Sequence, residues 1–372
     1  MVALGGAMAA TVLTQTFTAN PGAVSSGAFT VDDNPLVAGP TTASTSAVSI
    51  TPVALSQFNP TTGILVGARV SAVIPVTITT QVYGIGGNGN RTVNGTTTYV
   101  GGVSATGVSA TSAATALSLS HSCNGNNCVG NDAQNGNNSN TSGAATYSAS
   151  GTVAPGSLSS YYGTNTTGVQ IATGGTLTVS STGGGNLTSA FTRGIVNRTA
   201  GSSYSVAYDY LNFSSPSFDG STVVRTFDLN FGTIHQANGL ATLDFTLFNI
   251  GNANSAGFDL VSLGRDGNAL FTTTLAPFSG QANNIDGGQS RTFSVSVTPT
   301  TLGSKVEQFR LALRDSAVDV GTGGLGAKDF DMTLNVFALV LPEPGTWLSM
   351  IIGFGLIGSA ARRQRRAGLA AA

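Results

Sequence analysis

The chain has 372 residues, 50 of them glycine, with 8% charged residues and a formal net charge of -1. Such near-neutrality removes any electrostatic case for binding nucleic acid, and scarce Glu and Lys beside abundant Gly, Thr, Ser, Asn and Val argue against a helical cytosolic enzyme. The composition is that of an exported all-β protein, and it predicts two β-sandwich-like modules followed by a single C-terminal transmembrane helix.

Residues 1–10 read as the end of a signal peptide: Ala7-Met8-Ala9 fits an A-x-A cleavage site, and the mature chain is expected to open near Ala10 or Thr11. A Gly/Asn/Thr-rich β-domain over residues 11–215 follows. Ile64 to Thr80 predicts a long strand broken by Pro75, and the V-S-A-T repeat from Val103 to Thr111 predicts a small-residue strand or loop. Cys123 and Cys128 lie in a C-x4-C inside an Asn/Gly-rich loop, which in an oxidising compartment reads as a local disulfide. Only His121 is near enough to join them as a metal ligand, so no metal site is expected, and Asp132, Asn135 and Asn137 lack the bidentate Glu that closes a calcium loop. N-x-[ST] occurs at Asn90, Asn94, Asn137, Asn140, Asn165, Asn186, Asn197 and Asn212, which makes this surface a candidate glycan carrier. Strands are expected at 144–153, 169–180, 189–196 and 203–210, the last alternating as Tyr204, Val206, Tyr208 and Tyr210. The segment Leu55, Gln57-Phe58-Asn59-Pro60 and Gly63, with that Tyr-rich strand, is similar to the choice-of-anchor E domain. The resemblance implies a bacterial surface domain with an interchangeable C-terminal anchor and no assigned activity.

Residues 1–200 hold three acids and four arginines, whereas residues 201–341 hold twelve acids and seven basic residues. That shift, with Ser214-Ser215-Pro216-Ser217 and Asp219-Gly220, predicts a boundary near residues 215–222. Over residues 222–341, seven strands are expected at 223–231, 240–250, 257–263, 269–275, 289–298, 305–314 and 329–340. Leu243, Phe245 and Leu247 alternate with Thr242, Asp244 and Thr246, the pattern of half-buried antiparallel strands, and turn residues about every ten positions predict an immunoglobulin-type sandwich. Asp228-Leu229-Asn230-Phe231-Gly232, Phe248-Asn249-Ile250-Gly251 and Gly287-Gly288-Gln289 resemble the ASPM/Hydin class of Ig-like domains. That resemblance implies an architectural module without catalytic residues.

The C-terminus, residues 342–366, carries Pro342-Glu343-Pro344, an uncharged apolar run over residues 346–361, and Arg362, Arg363, Arg365 and Arg366. The run would span roughly 24 Å as a helix, close to a bilayer core, and the arginines would stay on the cytoplasmic side as a basic stop. A Pro-x-Pro pair continues neither strand nor helix, which predicts an extended, accessible joint. In this order the three parts resemble the PEP-CTERM sorting signal of Gram-negative bacteria. The resemblance implies export across the inner membrane, a membrane-anchored precursor, cleavage by an exosortase near Pro342 to Pro344, and delivery to the cell surface or an exopolysaccharide matrix. No cofactor is expected, and no enzyme motif occurs: there is no G-x-S-x-G elbow, H-E-x-x-H or phosphate loop, and His235 reads as an exposed turn residue. The expected role is that of an extracellular structural protein. The alternative is a carbohydrate-binding or adhesin module in which Tyr161-Tyr162 or the Tyr204 to Tyr210 strand stacks on sugar rings.

Overall fold

The computed structural model describes residues 10–20, 29–33, 41–45, 52–85, 91–123, 138–184, 189–267, 270–280, 283–316 and 324–369. Cys128 lies outside these, and with it the expected disulfide to Cys123, as do the expected signal-peptide residues 1–9 and the loop positions Asp132, Asn135 and Asn137. The chain divides into two compact units, Leu13–Tyr210 and Met1–Val12 with Leu211–Ala372.

The unit Leu13–Tyr210 is built from two six-stranded sheets. In the first, β1 (Leu13–Ala19) pairs β12 (Ser203–Leu211), β12 and then β11 (Ser189–Arg198) share one edge of the long β5 (Ile64–Ile85), β2 (Phe29–Asp33) pairs β11, and β9 (Asn138–Thr152) pairs the other edge of β5. In the second, β3 (Thr41–Thr45) and β4 (Val53–Leu55) pair β10 (Val169–Gly184), which pairs β6 (Arg91–Ala105), whose far edge carries β7 (Val108–Thr111) and β8 (Thr115–Cys123). The V-S-A-T repeat is thus a hairpin, with Ala105 opposite Val108 across a turn at Thr106 and Gly107, where φ is +71°.

Pro75 does not break β5. Its carbonyl accepts Thr199 N–H at 3.0 Å, and residue 76 is where the β11 ladder begins, opposite Arg198. In an antiparallel ladder one residue's N–H and C=O face the same neighbour, so the missing donor of Pro75 falls where that edge of β5 passes from β12 to β11. Alternate residues of β5, Val70, Ala72, Ile74, Val76, Ile78, Thr80 and Val82, are buried and meet the inner face of the second sheet. Small residues let the sheets come close. A Cβ at Gly95 would lie 2.3 Å from Val82, and one at Gly194 would lie 2.4 Å from Val179.

The other unit is a β-sandwich of two four-stranded sheets. One is ordered β13 (Pro216–Ser217), β15 (Ala241–Asn249), β18 (Ser290–Val297), β17 (Phe271–Thr273), and the other β14 (Thr226–His235), β20 (Asp329–Leu341), β19 (Gly303–Ser316), β16 (Gly257–Gly267). With the first strand split between the sheets, this is the immunoglobulin order, ABED facing CFG. β14 runs parallel to β20 with a bulge between Asn230 and Thr233, where Asn230 Oδ1 accepts Gly232 N–H at 2.8 Å. The core is apolar and aromatic, with Phe258, Phe271, Phe309, Leu247 and Val295 fully buried and Phe278 stacked on Phe293 at 6.1 Å.

The residues at the expected boundary are themselves built into this unit. Ser214 donates both its N–H and its hydroxyl to Asp315 Oδ1, at 2.8 and 2.5 Å, and the buried Ser217 hydroxyl donates to Thr222 O at 2.6 Å. Thr11 belongs here too, since its N–H reaches Ala253 O at 2.8 Å. The motif residue Asn249 is a buried clasp: its amide donates to Ala256 O and Ile285 O and accepts from Ser215 N and Gly251 N. Gly287 is required beside it, because a Cβ there would sit 2.1 Å from Asn252 O.

The one described α-helix, α1 (Pro344–Leu369), follows β20, and here the structure corrects the expected transmembrane helix. Among the described residues no helix is long and apolar enough to cross a membrane. The uncharged run falls short of a ~30 Å hydrocarbon core, and Ser349, Gly353, Gly355, Gly358 and Ser359 dilute its hydropathy.

Candidate functional site

The sorting-like motif begins where the sandwich ends. Leu341 is the last residue of β20 and lies opposite His235, the last of β14, whereas β19 pairs β20 only as far as Val340. The final rung is therefore held from one side. One residue further, His235 Nδ1 lies 3.2 Å from the Pro342 carbonyl oxygen. A carbonyl only accepts, so Nδ1 carries the proton. His235 is half-buried at a strand end, which corrects its expected place as an exposed turn residue. Immunoglobulin topology carries the signal that pure pattern reading missed: when the first strand runs parallel beside the last, both strand ends share one edge.

Glu343 is exposed, and Pro344 opens α1. A proline suits the first helical position, because that N–H has no partner in any helix and the fixed φ is already helical. The expected extended joint is thus only two residues long, Pro342 and Glu343, and the second proline starts the helix. Along α1 the large apolar side chains point to solvent on every side, from Met350 at 46% exposure to Phe354 and Ile357 at 67%. A helix apolar all round is one whose proper surroundings are apolar. Arg362 and Arg363 follow the apolar run and are exposed, and positions 365 and 366 lie further along the same helix.

Elsewhere the structure buries three of the tyrosines that could have stacked on sugar rings. Tyr161, Tyr204 and Tyr208 are each at most 1% exposed. Tyr161 donates to Thr106 O at 2.7 Å and Tyr208 to Ser56 O at 2.7 Å, and burial pushes the Tyr161 phenol up to about 12. Tyr162 and Tyr210 are half-buried against Phe58, with ring centroids at 6.4 and 5.2 Å. The Tyr-rich strand alternates because one face is core, which takes up Tyr204 and Tyr208 and leaves Tyr210 half-buried.

Among the described residues no three His, Cys, Asp or Glu side chains gather as a metal site. Asp329 and Asp331 are exposed on the outer face of β20, Asp329 lying 3.7 Å from Arg314. The hollow between Leu270, Pro299, Thr300, Lys305 and Val340 has no room for a water molecule.

No family model matches this sequence, and no curated protein does. Solved structures similar in part include the VesB protease of Vibrio cholerae, at 16% identity and TM-score 0.22, over 37% of this chain and 37% of that one. Others are PapD-like domain 7 of human CEP192, at 10% identity and TM-score 0.23 over 32% of this chain and 84% of that domain, and the E. coli chaperone DraB, at 15% and 0.20 over 34% and 56%. The chain thus spans just over a third of VesB. Scores this low carry no argument about activity, and the immunoglobulin-type architecture stands on the strand order described above.

Proposed function

We propose that this protein is an exported structural protein of the cell surface or extracellular matrix, sorted through a PEP-CTERM-type signal at residues 342–366. In this reading an exosortase-type enzyme recognises Pro342, Glu343 and Pro344, the precursor is held at the inner membrane of a Gram-negative bacterium by the exposed apolar side chains of α1, and the two β-units pass into an exopolysaccharide or envelope layer. The observation that carries it is the run of apolar side chains on α1, exposed on all sides, placed directly after the Pro-Glu-Pro triplet and closed by four arginines. The buried clasps at Asn249 and Asp315 support a scaffold role, since in them polar side chains are used up in holding loops.

Intact-mass and C-terminal peptide analysis of the protein recovered from the host surface and medium tests this. A mature chain ending within Pro342 to Pro344 is the expected outcome. A surface protein that keeps Trp347 and the arginines overturns processing and leaves a plain anchored protein.

A further inference from the structure

The motif is flush with a folded sandwich and carries its own restraint. A processing enzyme that cuts near Pro342 to Pro344 must draw several residues on each side of the bond into an extended form, as peptide recognition along a strand-like groove requires. Upstream residues are engaged already: Leu339, Val340 and Leu341 pair Thr233, Ile234 and His235 on β14, while Leu339 and Val340 also pair Ser304 and Gly303 on β19. Downstream, Pro344 is the first residue of α1. Between these elements only the carbonyl of Pro342 is held by a side chain, that of His235.

We infer that His235 is a positioning residue that latches Pro342 to the end of the sandwich, so that release of this contact and fraying of the last rung of β20 precede cleavage of the motif. This rests on the sorting reading for its biological meaning, though the latch itself is testable without the host enzyme. The joint is a strand end paired on one side only, the kind of place where local opening is cheap and a single neutral hydrogen bond shifts the open population. Net hydrogen bonds of the usual size change that population about two- to ten-fold. The imidazole donates from Nδ1, so a side chain that keeps a donor at similar reach, His235→Asn, should retain the latch, and His235→Ala should lose it.

The experiment uses the full chain in detergent, treated with a post-proline endoprotease that accepts whole proteins, with cuts after Pro342 and Pro344 timed by intact mass. Trypsin cleavage at Arg291 and Lys305 reports on the sandwich in the same samples. His235→Ala should raise the motif cleavage rate about two- to ten-fold with tryptic rates unchanged, and His235→Asn should stay near the parent rate. Equal motif cleavage in all three proteins overturns the latch, and so does a rise in tryptic and motif cleavage together, which would mean general loosening. Failure of the sorting reading shows separately, as an uncut C-terminus in protein taken from the host surface.

Discussion

The two β-units solve the same packing problem in opposite ways. The unit Leu211–Leu341 fills its interior with large apolar groups, Phe258, Phe271, Phe309 and Leu247, and concentrates charge in a few satisfied clasps. Its buried Glu307 meets Arg265 Nε at 2.7 Å and accepts Phe271 N–H at 3.1 Å. In the unit Leu13–Tyr210 the sheets approach through glycine and threonine instead. Thr80, Thr97, Thr173, Ser181 and Thr192 are buried between them, and the hydroxyls of Thr97 and Thr192 have no partner among the described residues. Even its buried arginine, Arg198, is bonded among the described residues by one nitrogen only, to Thr173 Oγ1 at 3.2 Å. A Gly/Thr composition therefore does not mark a segment as unstructured. Small residues trade buried apolar area for a close approach of two sheets.

Substitutions that reverse each strategy separate the units. Phe309→Ala should cost the immunoglobulin-type unit about 3–5 kcal/mol, because a fully buried aromatic leaves a cavity its rigid neighbours cannot close. Denaturant titration that resolves the two unfolding steps reads this, and the step of the Leu13–Tyr210 unit should not move. Gly194→Val should act in reverse, with a loss of about 1–3 kcal/mol in the Leu13–Tyr210 step alone, since a Cβ already falls 2.4 Å from Val179 and 2.8 Å from Thr97. A neutral outcome there would mean that the sheets separate easily, against the close approach described. Smaller and opposite in sign, Thr97→Val and Thr192→Val should each stabilise by about 1 kcal/mol, because each replaces an unpartnered buried hydroxyl by an isosteric methyl. Calorimetry should show melting raised by a few degrees, and a loss of stability would reveal a partner for the hydroxyl.

The smallest effect concerns pH. Asp315 is pushed up from the ordinary carboxylate range by burial, against the lowering effect of its hydrogen bonds from Ser214 and Lys328 N–H. A carboxyl whose folded pKa is raised takes up its proton more readily in the folded state. Its stabilising contribution is present below the unfolded pKa and fades as pH rises through the folded value. Melting of the immunoglobulin-type unit should therefore gain a component on acidification that Asp315→Asn removes. An identical pH profile in both proteins would place Asp315 in a more hydrated setting.

Strand alternation was legible without coordinates, since facing in or out every second residue is a local property. Leu243, Phe245 and Leu247 predict β15, and the seven strands of the immunoglobulin-type unit fall close to their expected ranges. What local patterns misread depends on a neighbour distant in sequence. Pro75 looks like a strand breaker, yet it lies where β5 changes partners on one edge. Ser214 to Ser217 reads only as a boundary signal until Asp315, 101 residues away, binds Ser214. The tyrosines of β12 fit either a core or a platform, and only the facing sheet decides between them.

At the candidate site the division is the same. The sequence by itself determined the order of parts, a Pro-Glu-Pro triplet, an uncharged run and four arginines, because covalent order and hydropathy are properties of the chain alone. Tertiary structure decided how that segment is presented, with Pro342 one residue past the last rung of β20, held by a histidine 107 residues earlier, and Pro344 already turned into helix. The physical reason is that hydrogen bonds between strands, unlike periodicity along one strand, join residues whose separation in sequence carries no information about their contact.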